Sequence, residues 1–256
     1  YLVARIFVFQ DPAYARANPT LAVRDQSGAP WQDQKGRLWV DTTAEQVWQY
    51  NAVLATEVYE GGFDEVQFDY VRFPTDGKIA NMIYPLYDGV TSKADALKKF
   101  FVFIDRELRI KRKIPVSVDL FGLTMWAKNS DLGIGQRLVT TAPYVDVISP
   151  MLYPSHYASG FLNYKNPALY PYEVGYKNLD QGNQTIAEVM RQSLVNMQSA
   201  PSLARFRPWL QDFDMGARYT PEMVRAQINA ATNANVEGWL LWNPRNVYSV
   251  DALQKE

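Results

Sequence analysis

Residues 61–74 read Gly61-Gly62-Phe63-Asp64-Glu65-Val66-Gln67-Phe68-Asp69-Tyr70-Val71-Arg72-Phe73-Pro74. The run from Val66 to Val71 is rich in β-branched and aromatic residues and alternates in polarity, so it is expected to be a strand. Gln67 and Asp69 share one face; Val66, Phe68 and Tyr70 share the other. An acid and an amide on a buried strand face are costly unless they have partners or a task. Arg72 and Pro74 close the strand and open a loop. A carboxylate at the C-terminal tip of a strand is where α/β barrels carry their chemistry. The alternative is an Asp69–Arg72 ion pair that only fixes the turn.

Outward from this stretch, short strands alternate with amphipathic helices. Strands are expected at 3–10, 38–41, 64–71, 115–121, 145–152, 207–212 and 237–242. A helix over 43–60 carries Val47, Tyr50, Leu54 and Val58, with Asp41 or Thr42 as cap and Gly61-Gly62 as stop. A second, over 93–112, follows Ser92 with Asp95 three residues later and has Leu97, Phe100, Phe101, Ile104 and Leu108 as its buried stripe. A third, over 186–199, is expected to start at a Thr185–Glu188 capping box. A fourth, over 221–234, opens with Thr220-Pro221. A shorter helix is expected near 133–142. The spans 72–91 and 153–184 read as long loops, a length that usually marks function.

This alternation implies a mostly parallel sheet. An open nucleotide-binding sheet needs a glycine-rich turn after its first strand. Gly133-Ile134-Gly135 is the nearest approach and lacks the third glycine. A closed barrel is therefore expected, as one domain over 1–256, although only seven strands can be counted.

Lys plus Arg is 26 and Asp plus Glu is 27, a net charge of −1, which gives no electrostatic case for nucleic acid or an anionic membrane. No apolar run approaches the roughly 20 residues of a membrane span. The sequence has no cysteine and a single histidine, His156, so thiol chemistry and histidine-rich metal sites are excluded and no cofactor is expected. It opens directly on the strand-like run Tyr1–Phe9, with no signal-like leader. Aromatics make up 14% of residues. Trp31, Trp126, Tyr153, Tyr157, Tyr164, Tyr170 and Tyr172 fall in expected loops, where flat rings suit sugar faces unless they are filling the core.

The period of two, applied to the other strands, repeats the pattern of the first. Asp119 lies near the end of Val116–Phe121, on a face with Ser117 and Phe121. Tyr153 ends its strand, with His156 in the loop beyond. Gln211 and Asp212 tip another strand, and Trp242 and Asn243 the last. Adjacent strands are about 4.8 Å apart, so two tip carboxylates can approach the roughly 5–9.5 Å separation of glycosidase acid pairs. The competing readings are an Asp119 cap or Arg72 salt bridge, and solvated partners for Asp212 in Asp214 and Arg218.

Taken together, Ala4-Arg5-Ile6, Phe9-Gln10-Asp11-Pro12, Trp39-Val40-Asp41, residues 62–74, Val118–Gly122, Ile148–Tyr157, Gln211-Asp212-Phe213 and Leu241-Trp242-Asn243 resemble the bacterial putative glycosyl hydrolase domain family, nearly end to end. The resemblance implies a TIM (β/α)8-type barrel related to barrel glycosidases whose fourth strand bears a catalytic Asp. Members carry a strand before the one that opens this chain, so 3–10 is expected to be the second and the first to be lacking here. A location outside the cytoplasm or at the cell envelope is implied by the resemblance alone. The expected site has Asp69 as nucleophile or transition-state stabiliser and Asp119 as general acid/base, with Asp212 as a further acid. Gln67 and Arg72 orient Asp69. Tyr153, His156, Gln211, Trp242 and Asn243 contact a carbohydrate substrate. A non-catalytic carbohydrate-binding barrel and a cell-envelope scaffold are the alternatives.

Overall fold

Strand β1 (Val3–Phe7) lies parallel to β2 (Glu65–Asp69), with Val3 opposite Glu65 and Phe7 opposite Asp69. β2 lies parallel to β3 (Val116–Phe121), with Val66 opposite Val116. The computed structural model describes residues 1–195 and 203–253, and these form two compact units. The first holds residues 1–119 and 129–146, the second 120–128 and from 147 onward. β3 runs from the first into the second at Asp119-Leu120. The described residues hold seven strands, and every recorded strand pairing is parallel.

In the first unit, alternation places Ala4, Ile6, Val66, Phe68, Val116 and Val118 on the apolar side of the strands, all buried. Helices α2 (Glu45–Glu60) and α3 (Lys93–Ile104) belong to the same unit. Phe100 of α3 is the hub of its core: its ring meets those of Phe9, Trp48 and Phe68 at 5.2, 6.2 and 6.1 Å. All five residues of the expected stripe, Leu97 to Leu108, are fully buried. Burial of each such side chain contributes about 1.5–3 kcal/mol. Ser92 caps α3 as expected, its Oγ accepting from the Asp95 N–H at 3.1 Å. Beyond Ile104 the helix widens into a π turn, Asp105–Ile110.

Several expected elements differ. Residues 38–41 form isolated antiparallel bridges, Gln32 to Leu38 and Ala22 to Val40, rather than a strand of the parallel sheet. Asp41 does not cap α2, whose N-cap is Ala44. The buried Asp41 carboxylate instead accepts from the Thr43 N–H and hydroxyl and from the N–H groups of Leu86 and Tyr87, tying down the 72–91 loop. A short helix, α1 (Pro12–Ala17), capped by Asp11, was not expected. The helix near 133–142 shrinks to α4 (Leu138–Thr141) and a 3-10 turn.

In the second unit, β4 (Val147–Leu152) pairs with β5 (Arg205–Phe206) and with β6 (Trp209–Gln211), which pairs with β7 (Leu240–Trp242). The expected 207–212 strand shrinks to β6, and Pro208, which has no N–H to donate, stands between it and β5. Helix α5 (Pro171–Val195) occupies much of the expected 153–184 loop. Thr185 lies inside it, donating to the Gln181 carbonyl, so no capping box starts there. Residues 196–199 of that expected helix lie outside the described residues. Thr220 does cap α6 (Pro221–Asn233). Two glycines permit close approach: a Cβ on Gly122 would stand 2.3 Å from the Tyr157 hydroxyl, and one on Gly182 2.4 Å from the Met125 sulfur.

Candidate active site

In the first unit, alternation turns Arg5, Gln67, Asp69, Ser117 and Asp119 to the side away from the helices. Gln67, Asp69 and Asp119 are buried. Asp69 ends β2, where the chain turns sharply: Tyr70 has φ +54°, left-handed and rare for a bulky residue. It costs about 1–3 kcal/mol and persists only where the surroundings enforce it. Here the Tyr70 ring packs edge-on against Phe7 at 4.9 Å and Trp39 at 5.8 Å. The turn aims the Tyr70 N–H at Asp69 Oδ1, 2.6 Å away. It also withdraws Tyr70 from the strand face expected for it.

The cation beside Asp69 is Arg5. Its Nη2 donates to Asp69 Oδ2, and its Nε lies 3.4 Å from Asp119 Oδ2. One guanidinium thus spans two acids on adjacent parallel strands. Neighbouring strands lie about 4.8 Å apart, which brings both carboxyl groups within reach of that one guanidinium. Sequence reasoning missed this role, although a charge inside Val3-Ala4-Arg5-Ile6-Phe7 needs a partner.

Arg72 lies over Trp39, 4.9 Å from its ring centre, and donates to the Phe73 carbonyl and to Thr75 Oγ1, both at 3.1 Å. Its recorded ion-pair partner is Asp76. Burial lowers the pKa of its guanidinium, partly offset by Asp76. Trp39 is held in turn by Asp33, which accepts from the indole N–H, Gln10 Nε2, Arg37 Nε and the N–H groups of Lys35 and Arg37. Desolvation pushes the Asp33 carboxyl up, but these donors outweigh it and hold its pKa below the usual carboxylate value.

In the second unit, Gln211 is buried; its Oε1 accepts from the Ser155 N–H and hydroxyl, and its Nε2 donates to the Phe213 carbonyl. It positions the loop bearing Tyr153 and His156, whose rings meet at 5.2 Å. Asp212 uses both oxygens on Ser249, accepting from its N–H and hydroxyl at 2.8 and 2.7 Å. Asn243 donates to the Asp212 carbonyl and accepts from the Arg245 N–H. The Trp242 ring stands edge-on to Trp209 at 5.9 Å. Phe121, Gly122, Leu123, Met151, Tyr153, His156 and Tyr157 line a cavity of about 350 Å³. Of the aromatics assigned to loops, Trp31, Tyr153 and Tyr157 are buried and Tyr172 lies in α5. Among the described residues, no group of three or more His, Cys, Asp or Glu could hold a metal ion, and no helix is long and apolar enough to cross a membrane.

A family model described as "putative glycosyl hydrolase domain" matches residues 1–248. No curated protein matches the chain. Among solved structures, the chain is similar to the glycoside hydrolase domain of PgaB (BpsB) from Bordetella bronchiseptica, with 14% identity, TM-score 0.55, 94% of this chain and 70% of that one. It is similar to the α-galactosidase TtGalA from Thermus thermophilus, with 12% identity, TM-score 0.54, 98% of this chain and 45% of that one. A hypothetical protein from Ruminiclostridium thermocellum matches at 29% identity and TM-score 0.40, over 46% of this chain and 58% of that one. The chain thus spans between 45% and 70% of the lengths of these three proteins. The fold is that of the glycoside hydrolase barrels, as the strand–helix alternation led us to expect, but partial rather than closed, in keeping with the first strand that the resemblance implied to be lacking.

Proposed function

The chain belongs to the family described as "putative glycosyl hydrolase domain", and from that premise we propose that it hydrolyses glycosidic bonds of an oligo- or polysaccharide, with Asp69 and Asp119 as its acid pair. The observation that carries this is the single Arg5 guanidinium set between the two carboxyl groups. Glycosidic cleavage needs one carboxyl group holding a proton and one ionised. Asp69, held by the Tyr70 N–H and Arg5, acts as nucleophile or transition-state stabiliser. Asp119 acts as proton donor and acceptor. Asp212, with both oxygens on Ser249, anchors the segment after β7.

The test is a panel of polysaccharides with product detection, run on wild type beside Asp69→Asn and Asp119→Asn. Each variant is expected to stay folded and to lose about 10²–10⁴-fold in turnover. Turnover near wild type in both would end the assignment. The second reading, a non-catalytic carbohydrate-binding barrel, is favoured by the aromatic cavity of the second unit. It requires saturable glycan binding with no cleavage by wild type.

A further inference from the structure

The cavity of the second unit is walled almost wholly by carbon. Phe121, Leu123, Met151, Tyr153 and Tyr157 supply apolar surface, and Leu123 is 43% exposed at its mouth. The Tyr157 hydroxyl is committed to Asn178 Oδ1 at 3.0 Å. A hexose edge bearing only hydroxyl groups would leave several of them unpaired here, at a cost.

The hydrogen bonds around His156 fix which polar group is wanted. Ser155 Oγ has one proton and donates it to Gln211 Oε1 at 2.8 Å. That oxygen only accepts, because the Gln211 amide nitrogen donates to the Phe213 carbonyl. Assigning the hydroxyl proton to the shorter of the two contacts, Gln211 Oε1 at 2.8 Å against His156 Nδ1 at 3.1 Å, leaves Oγ to accept from Nδ1 and so assigns the ring proton to Nδ1. Burial lowers the imidazole's pKa, which favours the neutral ring. Nε2 is then a lone-pair acceptor.

We propose that this cavity binds the acetamido group of an N-acetylated sugar, its methyl against the apolar wall and its N–H donating to His156 Nε2. This rests on the reading of the chain as a carbohydrate-active protein, and it adds the substrate class. The secondary amide pairs one donor with one methyl, which matches the Nε2 acceptor beside a largely apolar wall.

Isothermal titration and saturation-transfer NMR on the full chain test it, with methyl N-acetyl-β-glucosaminide and methyl β-glucoside as probes. The acetamido probe is expected to bind at least about tenfold more tightly, with the strongest transfer on its acetyl methyl. His156→Phe keeps a flat ring but removes the acceptor; Leu123→Asp puts a charge at the exposed mouth. Both should stay folded by circular dichroism and lose the preference. Equal affinity for the two probes, no binding of either, or a preference surviving both substitutions would overturn the proposal. Binding needs no turnover, so the two readings fail separately. A wild type that prefers the acetamido probe but cleaves nothing sinks only the hydrolase assignment. One that cleaves glycans without discriminating the probes sinks only this one.

Discussion

Arg5 lies at the centre of a five-residue strand, its side chain only partly shielded from solvent. A guanidinium is planar and presents several donors, so it can address two carboxylates at once, whereas an ammonium is a point charge. Arg5→Met is therefore expected to lower kcat/KM by at least about 100-fold, with Arg5→Lys recovering only part of the loss. Equal recovery by lysine would show that charge alone suffices. His156 makes a second prediction. Its imidazole is lowered by burial, so the unfolded chain takes up the proton more readily than the fold. Its contribution to stability is complete above the ordinary value of 6.5 and is lost as pH falls through the lowered folded value. Urea titrations at about pH 7.5 and about pH 5.5 should show a fall in stability that His156→Phe reduces. An unchanged pH dependence in that variant would place the titration elsewhere.

Asp33 organises the segment between α1 and α2, whose backbone has only isolated bridges to support it. Its buried carboxylate gathers five donors, the Trp39 indole among them, so one side chain does what a ladder does elsewhere. Asp33→Ala would leave those donors unpaired in the interior and is expected to cost about 3–5 kcal/mol, read from chemical denaturation. A loss below about 1 kcal/mol would mean that water replaces the carboxylate. The same element shows where periodicity misleads. Trp39-Val40-Asp41 has strand-like composition, yet its N–H and C=O groups bond antiparallel loop neighbours. Thr185 and Glu188 have capping-box spacing, but α5 begins upstream at Pro171, and the Thr185 hydroxyl donates back along the helix. Local signals held where the flanking chain agreed with them, as at Ser92 and Thr220.

The chain enters the second unit at Leu120, returns to the first at Asn129 and leaves it again after Asp146. Neither unit is a continuous stretch of sequence. A fragment 1–146 would carry Leu120–Lys128 without the residues that bury Gly122 and Met125. It is expected to bind a hydrophobic dye strongly where the full chain does not, and equal dye binding would refute this. The sequence by itself determined the alternation of strands and helices, the α3 stripe from Leu97 to Leu108, and the places of Asp69 at the end of β2 and Asp119 near the end of β3. Periods of 2 and 3.6 are local properties, set by backbone geometry within a few residues. Only the tertiary structure decided that Arg5, 64 residues before Asp69, is a cation on both acids, that Ser249 holds Asp212, and that Ser155 links His156 to Gln211. Such pairings depend on strand register and side-chain reach between segments far apart in sequence, which no local pattern encodes.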